Sequence, residues 1–313
     1  MAVNSPKQAP FPIDPFLTGI AIAYKNSTLI ADSVLPRVPV GAQTFKWWEY
    51  DKAESFTVPE TLVGRKGVPN EVEFGATEKE SSVKDYGLDD VVPNDDISNA
   101  PPGYDPLANA TEMTTDLIVL AREKRVADIV FNLNTYDSTL RETLSGTDQW
   151  SHASSDPKGQ ILDALDKTII RPNVLVLGQA VYTALRQNPS MVSAYLGNNG
   201  EKGTLTRQQI AELFEVEEVI VGQGFINIAK PGQTPQMVRV WGKHAALIHR
   251  NRLATTQRGA TFGLTAQWGG RIAGKFPEPT IGLRGAVRVR AGESVKELVV
   301  AKDLGYFFQN AIA

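Results

Sequence analysis

The nearest approach to a catalytic loop in this 313-residue chain is Gly269 to Phe276, GGRIAGKF, which has the GxxxxGK spacing of a phosphate cradle. Phe276 stands where a Ser or Thr hydroxyl must reach Mg²⁺, and Pro277 and Pro279 follow where a helix must begin. A glycine-rich turn between strands is the expected structure. Three histidines are present, His152, His244 and His249, and the last two are five apart in a strand-like stretch with no HExxH pattern. Ordinary structural histidines are expected. Asp89, Asp90, Asp95 and Asp96 offer oxygens to a hard cation, but without the D-x-D-x-D-G spacing of a calcium loop. They read as a solvated acidic face or a dock for basic side chains. With no cysteine in the chain, disulfides, thiol nucleophiles and Cys-based zinc sites are excluded. No GxSxG nucleophile elbow occurs. No cofactor, metal or catalytic residue is expected.

One chemical feature rises above background. Arg250, Arg252, Arg258, Arg271, Lys275, Arg284, Arg288 and Arg290 crowd the C-terminal third. Formal charge is -3 overall, yet residues 1–100 and 101–220 each carry -6 while 221–313 carry +9. Arg288 and Arg290 share one strand face, because side chains alternate. Either the two ends neutralise each other within one fold, or Arg271, Lys275, Arg284, Arg288 and Arg290 face a polyanion or an acidic neighbouring subunit. On the inter-subunit reading, salt weakens association.

The elements that must hold these residues follow from the pattern. Hydrophobic residues are 42%, charged residues 21% and mean hydropathy -0.20, values of a globular chain. No apolar run of about 18 residues spans a bilayer, and Met1–Pro10 lack a secretory signal. Of 19 prolines, 12 lie in residues 1–106, so this third reads as an extended arm with a short helix within Leu17–Ala31. Residues 37–50, rich in aromatics, and a second run from Glu71 to Phe74 predict a long hairpin around a polar tip. Asp105-Pro106 is an N-cap followed by a favoured first position, and no Pro or Gly interrupts the chain to Tyr136. A helix of about 45 Å over 105–136 is predicted, apolar on two faces. Residues 157–250 alternate helices and strands: helix 157–170, strand 172–178, helices 179–187 and 189–196, a capping box at Thr206–Gln209, and strands at 217–221, 237–241 and 245–249. Beyond Leu253 only strands are predicted, at 260–268, 285–290, and 295–301 leading to 306–308.

This order resembles the major capsid protein of tailed double-stranded DNA bacteriophages, a fold shared with encapsulins and the herpesvirus capsid floor. Ser33 to Val40 with Phe45 and Lys46 resembles the junction of arm and extended loop, and Val83 to Asp90 the strand returning from it. Asn173 to Gly178 with Tyr182, Leu185 and Pro189 is similar to the start of an axial subdomain, Glu217 to Gly222 to its next strand, and Gly292 to Tyr306 to the C-terminal strands. The resemblance implies an α+β fold: an N-terminal arm (1–44), an extended β loop (45–90), a peripheral domain (91–156) with the spine helix, an α/β axial domain (157–252), and a β-rich return through both (253–313). It implies a structural subunit that assembles in the bacterial host cytoplasm into pentamers and hexamers enclosing double-stranded DNA. Partners would be other copies, a separate scaffolding protein, a portal, a possible decoration protein and DNA held non-specifically, with no membrane. Phe45, Trp47, Trp48, Tyr50, Phe56 and Phe74 would be buried by a neighbouring subunit, with Asp89, Asp90, Asn198, Asn199 and Glu201 as further contacts. Lys52, Lys66 and Asn310 have the residue types of an inter-subunit isopeptide crosslink, but no activating acid is identifiable and none is predicted. An encapsulin-type compartment, or a soluble nucleotide-binding enzyme using Lys275, are the alternatives.

Overall fold

The computed structural model describes residues 12–50, 58–72, 76–197 and 203–313. The arm opens with α1 (Pro15–Ala23): Asp14 accepts from the Phe16 and Leu17 N–H groups, and Pro15 occupies the first turn. Leu17 and Ala21 of α1 pack against Ala273, Val289 and Ala291, so the arm lies on its own chain rather than standing free. A single turn, α2 (Ala31–Val34), leads into β1 (Arg37–Val40).

The hairpin forms from β2 (Thr44–Tyr50) and β3 (Ala76–Ser82), registered from Thr44↔Ser82 to Tyr50↔Ala76. The return strand thus begins after the predicted run, and Glu71 and Val72 are exposed outside it. β4 (Lys84–Pro93) and the short α3 (Asn94–Ser98) precede the spine helix α4 (Pro106–Val130), capped by Asp105 as expected. At 25 residues α4 is about 38 Å long, one and a half turns short of the prediction. It stops because its last carbonyls are taken: Tyr136 Oη donates to Val130 O at 2.8 Å and Thr135 Oγ1 to Ile129 O at 2.7 Å.

Two sheets flank this helix. One has strand order β1-β11-β12-β4, with β11 (Gly263–Glu278) and β12 (Ala286–Val299) as its long central pair. The separate strands expected at 285–290 and 295–301 are one strand, because Gly292 lets the chain pass Gly87 of β4 without a break; a Cβ there would meet Tyr86 O at 3.0 Å. The expected turn at Gly269–Lys275 is instead a bulge within β11, between Trp268 and Ile272.

The other sheet runs β5-β13-β10-β6-β7, from β5 (Arg141–Thr143), β6 (Val174–Gly178), β7 (Glu218–Gly222), β10 (Ala245–Ile248) and β13 (Gly305–Gln309). β6 and β7 are parallel and joined through α6 (Gln179–Gln187), α7 (Pro189–Leu196) and α8 (Arg207–Phe214), the last with its capping box formed. Together with α5 (Pro157–Lys167) these helices bury Ile161, Leu185, Met191 and Phe214 against the sheet. Leu140, Leu144 and Trp150 join the same core, so 140–156 belongs with this sheet and not with the spine helix. A small hairpin, β8 (Phe225–Asn227) and β9 (Met237–Arg239), completes the strands.

Candidate inter-subunit surfaces

Strand alternation puts Phe45 and Trp47 of β2 on one face, and both are buried within the chain against Val38, Val83, Leu264, Ala266 and Leu298. The expectation that a neighbour must cover these two rings is corrected: the four-stranded sheet supplies the cover. Trp48 alternates to the other face and is half-buried, and its backbone N–H donates to Thr256 O at 3.3 Å. Tyr50 closes the strand opposite Ala76. Phe56, Phe74, Asn198, Asn199 and Glu201 lie outside the described residues. Among the described residues of the loop the exposed apolar groups are aliphatic, with Val58 (90% exposed), Leu62 (85%) and Val68 the most open. Isolated aliphatic residues in a Gly- and charge-rich stretch carry no periodicity that marks a contact surface in sequence.

The basic residues have acids of their own chain. Strand register sets Arg290 opposite Asp89, and the pair is bidentate, 2.6 Å on each arm. Those hydrogen bonds hold the Asp89 carboxyl below its ordinary range. Arg288 bonds Glu278 at 3.1 Å and lies 3.5 Å from Asp89. Arg284 reaches Asp95 and Lys275 reaches Asp14, each at 3.1 Å. Arg271 bonds Glu293 at 3.1 Å and the carbonyls of Ala21 and Tyr24. At these five positions the charge asymmetry is neutralised within the fold, the first of the two alternatives. Asp90 remains exposed beside them. Lys275 is tied to Asp14 and lies within a strand, without the strand-to-helix turn of a phosphate cradle.

A denser ionic cluster joins arm, spine and both sheets, and nothing in the sequence marked it. Arg122 and Glu123 are consecutive on α4 and fully buried. The Arg122 guanidinium donates to Asp32 (2.5 Å), Thr265 Oγ1 (2.9 Å) and Leu35 O (3.3 Å). Arg37 links Asp32 (2.7 Å) to Glu293 (2.9 Å), and Arg125 holds Glu297 at 2.9 Å. Burial pushes Asp32 and Glu293 up, but the guanidiniums outweigh it and both sit below the ordinary range. Glu123 accepts from Ile30 N (2.9 Å), Ala31 N (2.7 Å) and Trp241 Nε1 (2.5 Å). Burial dominates there and raises its carboxyl despite those donors. Trp241 reaches it by lying over Gly178 and Gly222, where a Cβ would fall 2.1 Å from Trp241 atoms.

Among the described residues the three histidines are held by structural contacts. His244 packs between Phe131 and Phe307, accepts from Asn310 N at 3.0 Å, and is lowered by burial. His249 Nδ1 lies 3.2 Å from Arg171 O, and His152 Nδ1 lies 2.8 Å from Ser154 Oγ. Among the described residues no group of three acidic or histidine side chains is placed to hold a metal. A shallow cavity of about 490 Å³ at the start of α5 is lined by Asp148, Ser154, Asp156, Gln160 and Asp163; the Ser154 hydroxyl there is beside His152, and the Asp156 carboxylate is taken by the Ser190 hydroxyl at 2.6 Å and not by that histidine.

Comparison with known proteins identifies the architecture. Residues 128–224 match the family model described as phage major capsid protein E. The chain is 58% identical to the major capsid protein of Pseudomonas phage JBD67, over 97% of this chain and 99% of that one. A phage-related protein of Bordetella bronchiseptica shares the fold at 22% identity and a TM-score of 0.75, covering 97% and 99% of the two chains. The capsid structure of cyanophage P-SCSP1u superposes at a TM-score of 0.60 and 9% identity, covering 98% and 93%.

Proposed function

The chain belongs to the family of major capsid proteins of tailed phages, and from that premise we propose how its surfaces divide the work of a shell. It is a structural subunit of the icosahedral phage head, a component of the virion and not an enzyme. The α+β fold with the long helix α4 matches capsid structures.

In the proposed arrangement, copies meet as pentamers and hexamers through the five-stranded sheet and its helices, residues 157–252. The segment 197–203 is assigned to the neighbourhood of the capsomer axis. The four-stranded sheet with α4 joins neighbouring capsomers, and the loop between β2 and β3 lies over an adjacent copy. Packaged double-stranded DNA is the content, held without sequence readout, while a separate scaffolding protein, a portal and any decoration protein are partners of the assembled shell.

The observation that carries the loop assignment is the exposure of Val58, Leu62 and Val68 on a segment reaching beyond the two-stranded hairpin. Apolar side chains projecting from a soluble subunit mark a contact surface. Replacing residues 58–72 by a Gly/Ser linker of equal length leaves a folded subunit, shown by circular dichroism. Electron microscopy is expected to find no closed heads. Closed heads of normal size would overturn the assignment.

A further inference from the structure

We propose that the hairpin β8–β9 is one half of a head-to-tail contact between copies. Its uncovered face docks on the acidic face at the start of α5 of the next copy around the capsomer, with Met237 against Leu162 and Lys230 toward Asp148 and Asp163. The proposal rests on the reading of the chain as a shell subunit whose five-stranded sheet forms the rings.

Strand register sets Phe225 opposite Arg239 and Asn227 opposite Met237, so these four side chains share one face of the hairpin. Ile226 and Val238 share the other, and Ile226 packs on the core between α4 and the five-stranded sheet. The chain therefore covers one face only. On the open face Phe225 is 44% exposed and Met237 58%, with Ile228 exposed beside them. A two-stranded hairpin is marginal in water on its own, and apolar groups gathered on its open side mark a contact surface.

Charge selects the occupant. Residues 219–249 hold no Asp or Glu, but they carry Lys230, Arg239 and Lys243. Lys230 and Lys243 are exposed with no ion pair among the described residues, and the Arg239 guanidinium lies 4.4 Å from the centre of the Phe225 ring. The face at the start of α5 has the reverse sign. Asp148, Asp156 and Asp163 line the cavity there and all three are exposed. Asp156 bonds Ser190 and has Lys158, the only cation of residues 144–163, close by. Asp148 and Asp163 have no ion pair among the described residues. Leu162, next to Asp163, is exposed and offers the hairpin an apolar contact.

Topology makes that occupant a second copy. β5, β13, β6 and β7 all run in one direction, because β13 and β6 are each antiparallel to β10. The hairpin follows the C-terminal end of β7, and the cavity segment follows the C-terminal end of β5. Those strands are the two edges of the sheet, four spacings or about 19 Å apart. The two surfaces are thus held apart within one chain, at the same end of the sheet. A contact joining opposite edges of identical copies is heterologous and closes into a ring when the rotation allows. Opposite charges fix partner and orientation, and the apolar side chains between them exclude water.

The absence of cysteine makes the test direct. Heads are purified from cells supplying the other head proteins, treated with a short bismaleimide and run on a denaturing gel. Leu162→Cys with Met237→Cys is expected to give a ladder that stops at five and six copies, because each chain links to the next around its ring. Either single variant should stay monomeric, since a head-to-tail contact never sets a residue against itself. Leu162→Cys with Leu253→Cys, the latter 89% exposed on a loop outside the hairpin, reports random linking. Closed heads of the first pair without the ladder overturn the proposal. So does an equal ladder from the Leu253 pair, or linking of a single variant. If the first pair makes no heads, charge reversal decides: Lys230→Glu and Asp163→Lys should each lose most closed heads, and their combination should restore them. No restoration overturns the contact, as do Lys230→Glu heads that close normally and lack only DNA. Wild-type heads lacking the chain would instead refute the shell reading itself.

Discussion

Arg122 and Glu123 sit in the charged run Ala121-Arg-Glu-Lys-Arg125, and the structure buries two of its four charges completely. The reason is tertiary: α4 is wedged between two sheets, so neighbouring residues fall into different buried environments. Removing one member of a buried ion pair leaves an uncompensated charge and costs about 3–5 kcal/mol. Glu293, whose side chain is fully buried between Arg37 and Arg271, is the member with most to lose. Glu293→Ala is expected to lower subunit stability by that amount in urea unfolding. The pH dependence has a defined sign. Asp32 and Glu293 are depressed in the fold, so their stabilisation is present above the ordinary carboxylate range and is lost as pH falls through their folded values. Glu123 is raised and works in the opposite direction, its contribution falling as pH rises. The Asp32 and Glu293 contributions are expected to be lost as pH falls through the carboxylate range, and Glu293→Gln should blunt that loss. An unchanged pH profile in that variant would show that the depressed carboxylates lie elsewhere.

Elements with local signals were legible, and those defined by partners were not. Asp105-Pro106 and the Thr206–Gln209 capping box each name a helix start from adjacent residues, and both form as read. The unity of β12 could not be read, since a glycine breaks a strand in isolation and permits close approach only when a partner strand is present. The same blindness hid the role of Gly178 and Gly222, which end β6 and β7 opposite each other. Their missing side chains make the bed on which Trp241 lies, and Trp241 in turn carries a hydrogen bond to Glu123. Gly222→Ala forces a methyl into the indole, an overpacking that costs about 1–3 kcal/mol. It should loosen the arm as well, visible as faster amide exchange at Ile30 and Ala31, whose N–H groups share the Glu123 carboxylate with that indole. Exchange unchanged there, despite lower stability, would show that the tryptophan and the arm are held independently.

At the scale of the whole molecule, the charge of -3 conceals an acidic front and a basic end that meet inside one chain. Pairing across strands that sit side by side explains why the asymmetry exists: β4 carries Asp89 and β12 carries Arg288 and Arg290, nearly 200 positions later in sequence. The consequence for assembly reverses what the gradient alone suggests. If its cations served neighbouring subunits, salt would dissociate capsomers. With Arg271, Lys275, Arg284, Arg288 and Arg290 engaged at home, the exposed apolar side chains, Val58, Leu62 and Leu283 among them, are expected to carry more of the contact between copies than these cations do. Raising salt from about 0.1 to about 1 M shortens the screening length from about 10 to about 3 Å, which suppresses exposed charge pairs and leaves apolar contacts intact. Sulfate strengthens such contacts further. Light scattering of purified heads should therefore show shells that persist across this range and are stabilised by sulfate. Dissolution of heads by sodium chloride alone would mean that charged contacts between copies, and not the aliphatic surface, hold the shell together.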